Sequence, residues 1–220
     1  MLRILKSFKP ILLLVALLSL WLLSACQVIT GSGNVVEERR EVSGFNQIEI
    51  TGSGDLIIEQ SGEESLLVIA DDNLLPILTS NVAGGQLILG TKSNTSIMNG
   101  KIEYHVTVKS LEGLEITGSS DTTIHKLDGD QLDIQISGSG TVTGNGSVSK
   151  LNIEISGSGE YDGAIISSQD ATVSVSGSGD VLVNASQTLD ADVSGSGSVV
   201  YVGNPDVQQS VSGSGSVRQQ

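Results

Sequence analysis

The sequence predicts an all-β protein built as a β-solenoid (β-helix), with coils of about 18–21 residues and a less regular N-terminal half. The first observation is a repeat, because Ser-Gly-Ser-Gly recurs at 137–140, 156–159, 176–179, 194–197 and 212–215. The second is that each copy follows a short run in which apolar and polar residues alternate. The third is composition: the chain is 38% hydrophobic but only 3% aromatic, which suits a narrow aliphatic interior better than a large ligand pocket.

The N-terminus is predicted to be an export signal over residues 1–25. Three basic residues come first and an apolar run follows over 11–23, which is the pattern of a secretory signal. The run ends in Leu23-Ser24-Ala25-Cys26, which resembles the bacterial lipobox, so Cys26 is the predicted lipidation site. The alternative is an uncleaved membrane anchor, but the run is short for a span of about 20 residues. Cys26 is the only cysteine in the chain, which excludes an internal disulfide.

The part of the chain after the signal is strongly acidic. All 25 acidic residues but only 8 of the 11 basic residues follow residue 25, which gives this part a net charge of −17. Such a charge disfavours binding to nucleic acid or to an anionic surface, since both require clusters of Lys and Arg. It favours solubility outside the cell, with attraction of cations as the alternative.

The domain is predicted to begin after a short polar tether. Residues 26–34 have the composition of a tether that needs no fixed structure, and residues 35–220 form the predicted solenoid domain. Its first strands are alternating runs separated by turn residues. They are predicted at 35–42, 48–50, 56–59, 66–69, 87–89 and 102–108.

Several features of this N-terminal half depart from the repeat. No Gly-Ser-Gly occurs between the copy that begins at Gly52 and the variant copy at Gly118, 66 residues later, so longer loops or one or two hairpins are expected. Gly84-Gly85 is a turn signal, and Asn99-Gly100 is a hairpin-type signal. Residues 71–78 are the one segment after the signal where a helix is expected, and a proline limits it to about one turn.

From Leu111 onward the pattern is strict, and each alternating run precedes a glycine turn. A period of two is typical of a strand with one face in the core and one in water. The runs lie at 114–116, 132–136, 151–155, 171–175 and 189–193. A further run after each turn, such as 181–183, supplies a second strand, so equivalent Leu, Ile and Val side chains are expected to stack coil over coil.

The glycines of the repeat are predicted to be structural turn residues. A coil has to reverse direction at its corners, and glycine reaches positive φ without a clash at Cβ. The predicted turn glycines are Gly52, Gly54, Gly118, Gly138, Gly140, Gly157, Gly159, Gly177, Gly179, Gly195, Gly197, Gly213 and Gly215. The serines between paired glycines are expected to pass hydroxyl hydrogen bonds along the column.

Motifs for metal binding or catalysis are weak. Gly-Ser-Gly-Asp resembles part of a calcium-binding nonapeptide, which makes Asp55 and Asp180 weak calcium candidates. The acid follows the second glycine directly, however, and the other half of the coil lacks a matching turn. His105 and His125 have no nucleophile or metal-ligand spacing partner, and no lysine follows Gly-Ser-Gly at P-loop spacing. The sequence therefore predicts no catalytic residue, no metal site, no cofactor and no enzyme activity.

A family resemblance rests on the opening of the domain and on its repeats. The opening is Val42-Ser-Gly-Phe-Asn-Gln-Ile-Glu-Ile50 followed by Gly52-Ser-Gly-Asp-Leu56, with Leu66-Leu67-Val68, the turn 71–74 and Leu87-Ile88 after it. The repeats have the form Leu-x-Ile-x-Ile-Ser-Gly-Ser-Gly. Over nearly the whole mature chain, the sequence resembles a bacterial secreted family, the putative auto-transporter adhesin, head GIN domain proteins. The resemblance implies a right-handed parallel β-solenoid outside the cytoplasm, and it supplies no active site.

The predicted function is adhesion or polymer binding at the cell surface, through polar strand faces that repeat at about 4.8 Å. The expected partners are a glycan, matrix or envelope polymer, and a bacterial cell membrane or outer membrane that holds the lipid on Cys26. A second hypothesis is an envelope scaffold or spacer that self-associates through the solenoid ends. A third, a carbohydrate-active solenoid enzyme, is disfavoured because Lys150 is the only basic residue between 127 and 217.

Overall fold

Alternating runs form β-strands throughout residues 27–220, the part of the chain that this computed structural model describes. These residues contain strands and turns but no helix, so the predicted all-β class is confirmed. Accordingly, they include no helix that could cross a membrane. The strands are β1 (Gln27–Thr30), β2 (Val35–Arg40), β3 (Gln47–Gln60), β4 (Ser65–Asp71), β5 (Leu78–Ala83), β6 (Gln86–Thr91), β7 (Thr95–Met98), β8 (Ile102–Val108), β9 (Gly113–Gly138), β10 (Thr141–Gly157), β11 (Glu160–Gly177), β12 (Asp180–Gly195), β13 (Ser198–Val202), β14 (Asp206–Gly213) and β15 (Ser216–Gln219).

The C-terminal half is a parallel array in which each strand pairs with its counterpart one repeat away. Strands β9 to β12 pair in sequence order, β13 and β14 both pair with β12, and β15 pairs with β13. The register joins equivalent repeat positions, such as Gly157 with Gly138 on one side and with Gly177 on the other. The main sheet has 13 strands and follows an open path from β15 to β2.

Columns of aliphatic side chains, with one residue from each successive strand, form the core. Ile136, Ile155, Val175 and Val193 occupy one register column, and each is at most 1% exposed. Burying a side chain of this size contributes about 1.5–3 kcal/mol. Because each column is filled by one side chain per repeat, the period-two pattern has to be kept in every repeat for the core to remain continuous.

The two glycines of each Ser-Gly-Ser-Gly copy are needed for different reasons. Gly177 has a φ of +126°, which residues with a Cβ rarely adopt, and a Cβ there would lie 2.4 Å from the carbonyl oxygen of Gly157. Gly179 instead needs space, because its Cβ would lie 2.6 Å from Cγ2 of Ile155. Positive φ recurs at Gly52, Gly54, Gly118, Gly138, Gly157, Gly195 and Gly213, and the same close approach at Gly140, Gly159, Gly197 and Gly215.

Backbone hydrogen bonds join adjacent copies of this corner. The amide of Ser158 donates to the carbonyl of Gly138 over 2.8 Å, and the next two copies repeat this bond at the same distance. The serine column is thus linked through the main chain, where the sequence predicted hydroxyl bonds. A hydroxyl link does occur beside the corner, since Oγ of buried Ser120 donates to the carbonyl of Gly54 over 2.6 Å.

The N-terminal half combines antiparallel strands with the parallel array. Strand β3 pairs in parallel with β6, β8 and β9, whereas β4 lies antiparallel to both β2 and β8. An antiparallel hairpin joins β5 to β6 through Gly84 and Gly85, which have φ values of +61° and +86° as a tight two-residue turn requires. Asn99-Gly100 does not form a hairpin, because β7 pairs with β1 while β8 pairs with β3 and β4.

The 71–78 segment forms successive hydrogen-bonded turns instead of the predicted helix. The amide of Leu75 donates to the carbonyl four residues earlier over 3.3 Å, but Pro76 has no N–H with which to continue a helical ladder. Arg40 fastens this segment to β2, because its guanidinium donates to the carbonyls of Leu75 and Leu78, each over 3.0 Å. Polar backbone groups that a helix would satisfy internally are therefore satisfied by a side chain.

The predicted tether belongs to the fold from β1 onward. Strand β1 pairs in parallel with β7 in a separate two-stranded sheet. Beyond it, Ser32 and Asn34 donate side-chain hydrogen bonds to the carboxylate of Asp72 over 2.6 and 2.8 Å. Small polar residues suit such a fixed loop as well as they suit a free tether. Residues 1–26, with the signal and the predicted lipidation site Cys26, lie outside the described residues.

Candidate binding surface

The outward side chains of the array form two polar faces. We define the front face as the outward positions before each glycine corner, 47–51 and their equivalents, and the back face as those after it, 55–59 and their equivalents. The front face contains the hydroxyl residues Thr51, Thr117, Ser137, Ser156, Ser176, Ser194 and Ser212 and the acidic residues Glu49, Glu115, Asp133, Glu154, Asp190 and Asp192. None of its described positions is Lys or Arg, so this face favours ligands that donate hydrogen bonds or carry positive charge.

Acidic side chains of the front face lie on neighbouring strands. Glu49 and Glu115 are register partners, on strands about 4.8 Å apart. Burial, and to a smaller extent repulsion from Glu115, raises the pKa of the Glu49 carboxyl above its usual value. Further along, Asp133 accepts a hydrogen bond of 2.6 Å from the side-chain amide of Asn152. The face is therefore rich in hydrogen-bond acceptors.

The back face begins with an acidic column directly after the corner. Glu103, Asp55 and Asp121 lie in register on β8, β3 and β9. Nζ of Lys101 lies 2.6 Å from a carboxylate oxygen of Glu103 and 3.6 Å from one of Asp55. The hydrogen bond from Lys101, followed by that from His105, lowers the pKa of the Glu103 carboxyl. One lysine thus offsets part of the repulsion within this column.

The two calcium candidates occupy this column but lie far apart. Asp55 is on β3 and Asp180 on β12, four strand spacings or about 19 Å away, so they cannot share an ion. Oδ1 of Asp180 accepts hydrogen bonds from the amide and the hydroxyl of Ser198 over 3.1 and 2.5 Å. Between residues 27 and 220, no group of three or more Asp, Glu, His or Cys side chains is placed to hold a metal ion. The structure therefore supplies no ligand set for the calcium hypothesis.

Both histidines lie on strand faces. Nε2 of His105 contacts a carboxylate oxygen of Glu103, and Nδ1 of His125 lies 3.3 Å from the side-chain amide of Asn145. Neither contact brings a serine, threonine or cysteine nucleophile to the imidazole ring. A histidine paired with a carboxylate is the base and orienting half of a hydrolytic triad, but these contacts supply no nucleophile for it.

A polar groove crosses β9 to β12 at a second corner, between the back face of one repeat and the front face of the next. It has a volume of about 480 Å³. We name it the serine groove after its lining residues, which are Asp128, Gly129, Asp130, Ser147, Val148, Ser149, Ser167, Ser168, Gln169, Asn184 and Ser186. It spans three strand spacings, or about 14 Å, and contains one apolar side chain of appreciable size.

The polar surface continues from the serine groove toward the front face. A neighbouring hollow of about 370 Å³ shares residues 128–130 with the groove and adds Glu112 and Asp133 to its lining. A third hollow, of about 200 Å³, shares Asp133 with the second and reaches Glu115. Carboxylates therefore line a continuous path from the second corner to the front face.

Hydroxyl groups in the serine groove are fixed by bonds to the backbone. Oγ of Ser168 donates to the carbonyl of Asn184 over 2.9 Å, and Oγ of Ser186 donates to the carbonyl of Ser168 over 3.0 Å. Because the hydroxyl proton of exposed Ser186 is already donated, the lone pairs of its oxygen remain as acceptors, whereas Ser168 is buried beneath the groove surface. The groove is preformed and, like the front face, rich in acceptors.

The alternating sequence pattern predicts binding on the broad strand faces and does not indicate this groove. A signal for it exists, because Ser147 and Ser167 recur at the repeat spacing and are register partners. Serine suits a strand face and a corner equally, however, so the alternation of residue types does not reveal where the chain bends. Only the stacking of four strands turns these separate polar residues into one groove.

Comparisons with known proteins agree with the resemblance found in the sequence. Residues 44–205 match the family model described as putative auto-transporter adhesin, head GIN domain. The chain belongs to this family. The head GIN match includes the glycine corners from Gly52 to Gly195, most of both polar faces and the whole serine groove. Adhesins act at cell surfaces, so membership indicates a cell-surface or extracytoplasmic protein.

Solved structures share the fold of this head GIN chain. A putative adhesin from Bacteroides fragilis NCTC 9343 is 24% identical with a TM-score of 0.69, covering 87% of this chain and 100% of that one. A putative lipid binding protein from Parabacteroides distasonis ATCC 8503 is 25% identical with a TM-score of 0.60, covering 88% and 100%. A putative adhesin from Parabacteroides merdae ATCC 43184 is 19% identical with a TM-score of 0.55, covering 88% and 99%. No curated protein matches the chain.

Proposed function

We propose that this head GIN protein is a cell-envelope adhesin that binds a neutral or cationic polyhydroxylated polymer, such as a glycan, in the serine groove and the adjoining front face. One observation carries the proposal. The groove crosses four strands, joins the front face through Asp133, and has carboxylates, hydroxyls and amides but no Lys or Arg in its lining. Sugar hydroxyls donate to such oxygens, whereas a polyanion would be repelled.

The repeat favours a ligand that is itself repetitive. Equivalent oxygens recur at the strand spacing of about 4.8 Å, so each added unit of an extended polymer meets a similar set of acceptors. The groove lining contains no aromatic side chain, so binding depends on hydrogen bonds without ring stacking. We expect each unit to bind weakly and the affinity to increase with polymer length, since linked units bind at high effective concentration.

We further infer that the parallel array winds as a right-handed solenoid and that a lipid on Cys26 holds it to a bacterial membrane. The solenoid is supported by β9 to β12, in which each strand pairs in parallel with its counterpart one repeat away. Its right-handed sense is supported by the strong preference of parallel strand connections for right-handed crossovers. The anchor is supported by the lipobox sequence 23–26. Incorporation of labelled fatty acid into the full chain, lost in Cys26→Ser, tests the anchor separately from ligand binding.

The binding proposal is tested with residues 27–220 on an array of glycans and envelope polymers. The best binder is then titrated by calorimetry at two polymer lengths. Asp128→Asn combined with Asp130→Asn removes two acceptor charges from the groove and is expected to weaken binding at least tenfold. Asp121→Asn combined with Glu160→Gln is the matched control, because it makes the same charge change on the back face and should leave affinity within about twofold.

Two results would contradict the proposal. One is that no polyhydroxylated polymer on the array binds residues 27–220. The other is that the groove pair and the back-face pair lose the same affinity, because binding would then follow net charge and not the groove. Thermal unfolding of both double variants checks that each retains the fold.

A further inference from the structure

The two ends of the strand path are built differently. One end is β2, an antiparallel strand whose last four residues, 37–40, are all charged. Charged residues on an edge strand discourage pairing with another chain. At the other end, β14 pairs with β12 and β15 with β13, each on one side only within the described chain. Residues 207–217 contain no charged residue, so nothing of that kind blocks this edge.

Apolar side chains of the last repeat are left uncovered at the β14–β15 edge. Val211 is the register partner of Val193, which is fully buried, yet Val211 is 43% exposed. Val207 and Val217 pack against the core but are only partly buried, although their partners one repeat earlier are buried. Within residues 27–220, no other strand covers the ends of these core columns.

The charge distribution points to a second copy of this edge as the occupant. Residues 198–220 contain one acidic residue, Asp206, and one basic residue, Arg218. Residues 27–197 contain 24 acidic and 7 basic residues, so this part holds the whole net charge of −17. Two copies therefore repel each other over most of their surface but not where two such edges meet.

We propose that β14 and β15 pair with the same strands of a second copy and form a two-fold symmetric dimer. A two-fold axis normal to the sheet places β14 antiparallel to its symmetry mate and extends each sheet across the contact. Val207 and Val211 then remain on the interior side and become covered. Because the β2 end is charged, association closes at two copies instead of continuing as a filament.

The size of the contact sets the expected strength. Strands of eight and four residues extend about 26 and about 13 Å, and facing sheets lie about 10 Å apart, so each copy contributes a few hundred Å². This is less than the roughly 800 Å² per partner of a standard stable interface. We therefore expect a reversible dimer with a dissociation constant in the micromolar range or weaker. The dimer does not depend on ligand binding by the serine groove.

The test is sedimentation velocity of residues 27–220, which contain the entire described core, from about 5 to about 500 µM. The unmodified segment is expected to shift from monomer to dimer and to go no further. Val211→Lys places an ammonium group among apolar side chains in the dimer and should raise the dissociation constant at least tenfold. Ser174→Lys is the control, because it adds the same charge on the front face two strands from the edge.

A cross-linking variant tests the contact without weakening it. Residues 27–220 contain no cysteine, so Ser210→Cys introduces a single thiol near the proposed axis at the middle of β14. Oxidised glutathione should convert it to a disulfide-linked dimer, whereas Ser174→Cys should remain monomeric. A monomer at every concentration, assembly beyond a dimer, or a dimer insensitive to Val211→Lys in a folded variant would overturn the proposal.

Discussion

Gly177→Ala is expected to destabilise the protein by about 2–6 kcal/mol, through two effects that the structure separates. An alanine at a φ of +126° costs about 1–3 kcal/mol of backbone strain. Its Cβ would also lie 2.4 Å from the carbonyl oxygen of Gly157, the acceptor of a 2.8 Å hydrogen bond from the amide of Ser178. Forcing the strands apart there adds an overpacking cost of about 1–3 kcal/mol and weakens that bond.

Three other Gly→Ala changes isolate these effects. Gly129 has an ordinary φ and no atom within 4 Å of the position that a Cβ would occupy, so Gly129→Ala should be neutral or stabilise by about 0.4–1 kcal/mol. Gly52 has a φ of +107° with open space around it, so Gly52→Ala carries the strain alone. Gly159 lies outside the left-handed region but would bring its Cβ to 2.5 Å from Cγ2 of Ile136, so Gly159→Ala carries the contact alone.

Urea unfolding of residues 27–220, followed by circular dichroism, measures all four variants. The expected order of stability has Gly129→Ala first, the two single-effect variants next and Gly177→Ala last. Equal m-values across the series are required for the comparison, because a repeat protein can lose cooperativity. If Gly177→Ala loses no more stability than Gly52→Ala, the contact with the preceding strand is not limiting. If Gly129→Ala loses as much as Gly177→Ala, the reasoning is refuted.

Three further predictions concern single side chains. Burial raises the pKa of the Tyr104 hydroxyl to about 12. Unfolding should therefore become easier between about pH 10 and 12, where only the unfolded state releases the proton. Tyr104→Phe should reduce this slope in urea titrations without abolishing it, because burial also raises the pKa of the Tyr161 hydroxyl. The hydrogen bond from Lys109, together with those from two backbone amides, lowers the pKa of the Glu64 carboxyl. The ionised carboxylate therefore stabilises the native state above the usual pKa of glutamate, and this stabilisation should be lost as the pH falls below that pKa. Glu64→Gln should lose less stability over the same pH range. Arg40→Lys cannot hold both carbonyls of the 71–78 segment. It should reduce the free energy of unfolding by about 1–2 kcal/mol, and thermal unfolding would show this as a lower midpoint.

Local pattern was sufficient to predict the parallel C-terminal half. Alternation fixes which side chains face the core, and a glycine at a fixed spacing fixes where the chain bends, so neither prediction requires knowledge of distant residues. The confirmed strand class and the glycine geometry at Gly138, Gly157 and Gly177 follow from such short-range rules. These rules do not predict which strands pair in the N-terminal half, where the repeat is interrupted.

Long-range partners explain what the sequence did not reveal. Asn99-Gly100 has the composition of a hairpin, but β7 finds its partner in β1, about 70 residues earlier in the chain. Residues 27–34 look like a tether because the carboxylates that fix them, Asp71 and Asp72, are about 40 residues away. The serine groove likewise requires four strands to be stacked before its lining becomes one surface.

Gln27, which follows the proposed lipidation site in the sequence, and the proposed dimer edge lie at opposite ends of the part of the chain that the structure describes. If Cys26 carries lipid, little slack separates the membrane from the fold, because the amide of Gln27 already donates to the carbonyl of Asn94 over 2.8 Å. Strand β1 lies against the turn that follows β4, next to the β2 end of the path. The β14–β15 edge is nine strand spacings from β2 along that path, or about 43 Å.

This arrangement predicts that the dimer joins molecules on facing cells. An edge directed away from the membrane meets the same edge of a protein anchored to another cell, and many weak contacts across two surfaces add up to stable attachment. Cells that display the full chain should therefore aggregate, cells with Val211→Lys should remain dispersed, and cells with Ser174→Lys should aggregate as the unmodified cells do. Flow cytometry of two differently labelled populations measures the mixed clusters. Clusters of Val211→Lys cells as large as those of unmodified cells, at equal surface expression, would show that another surface holds the cells together.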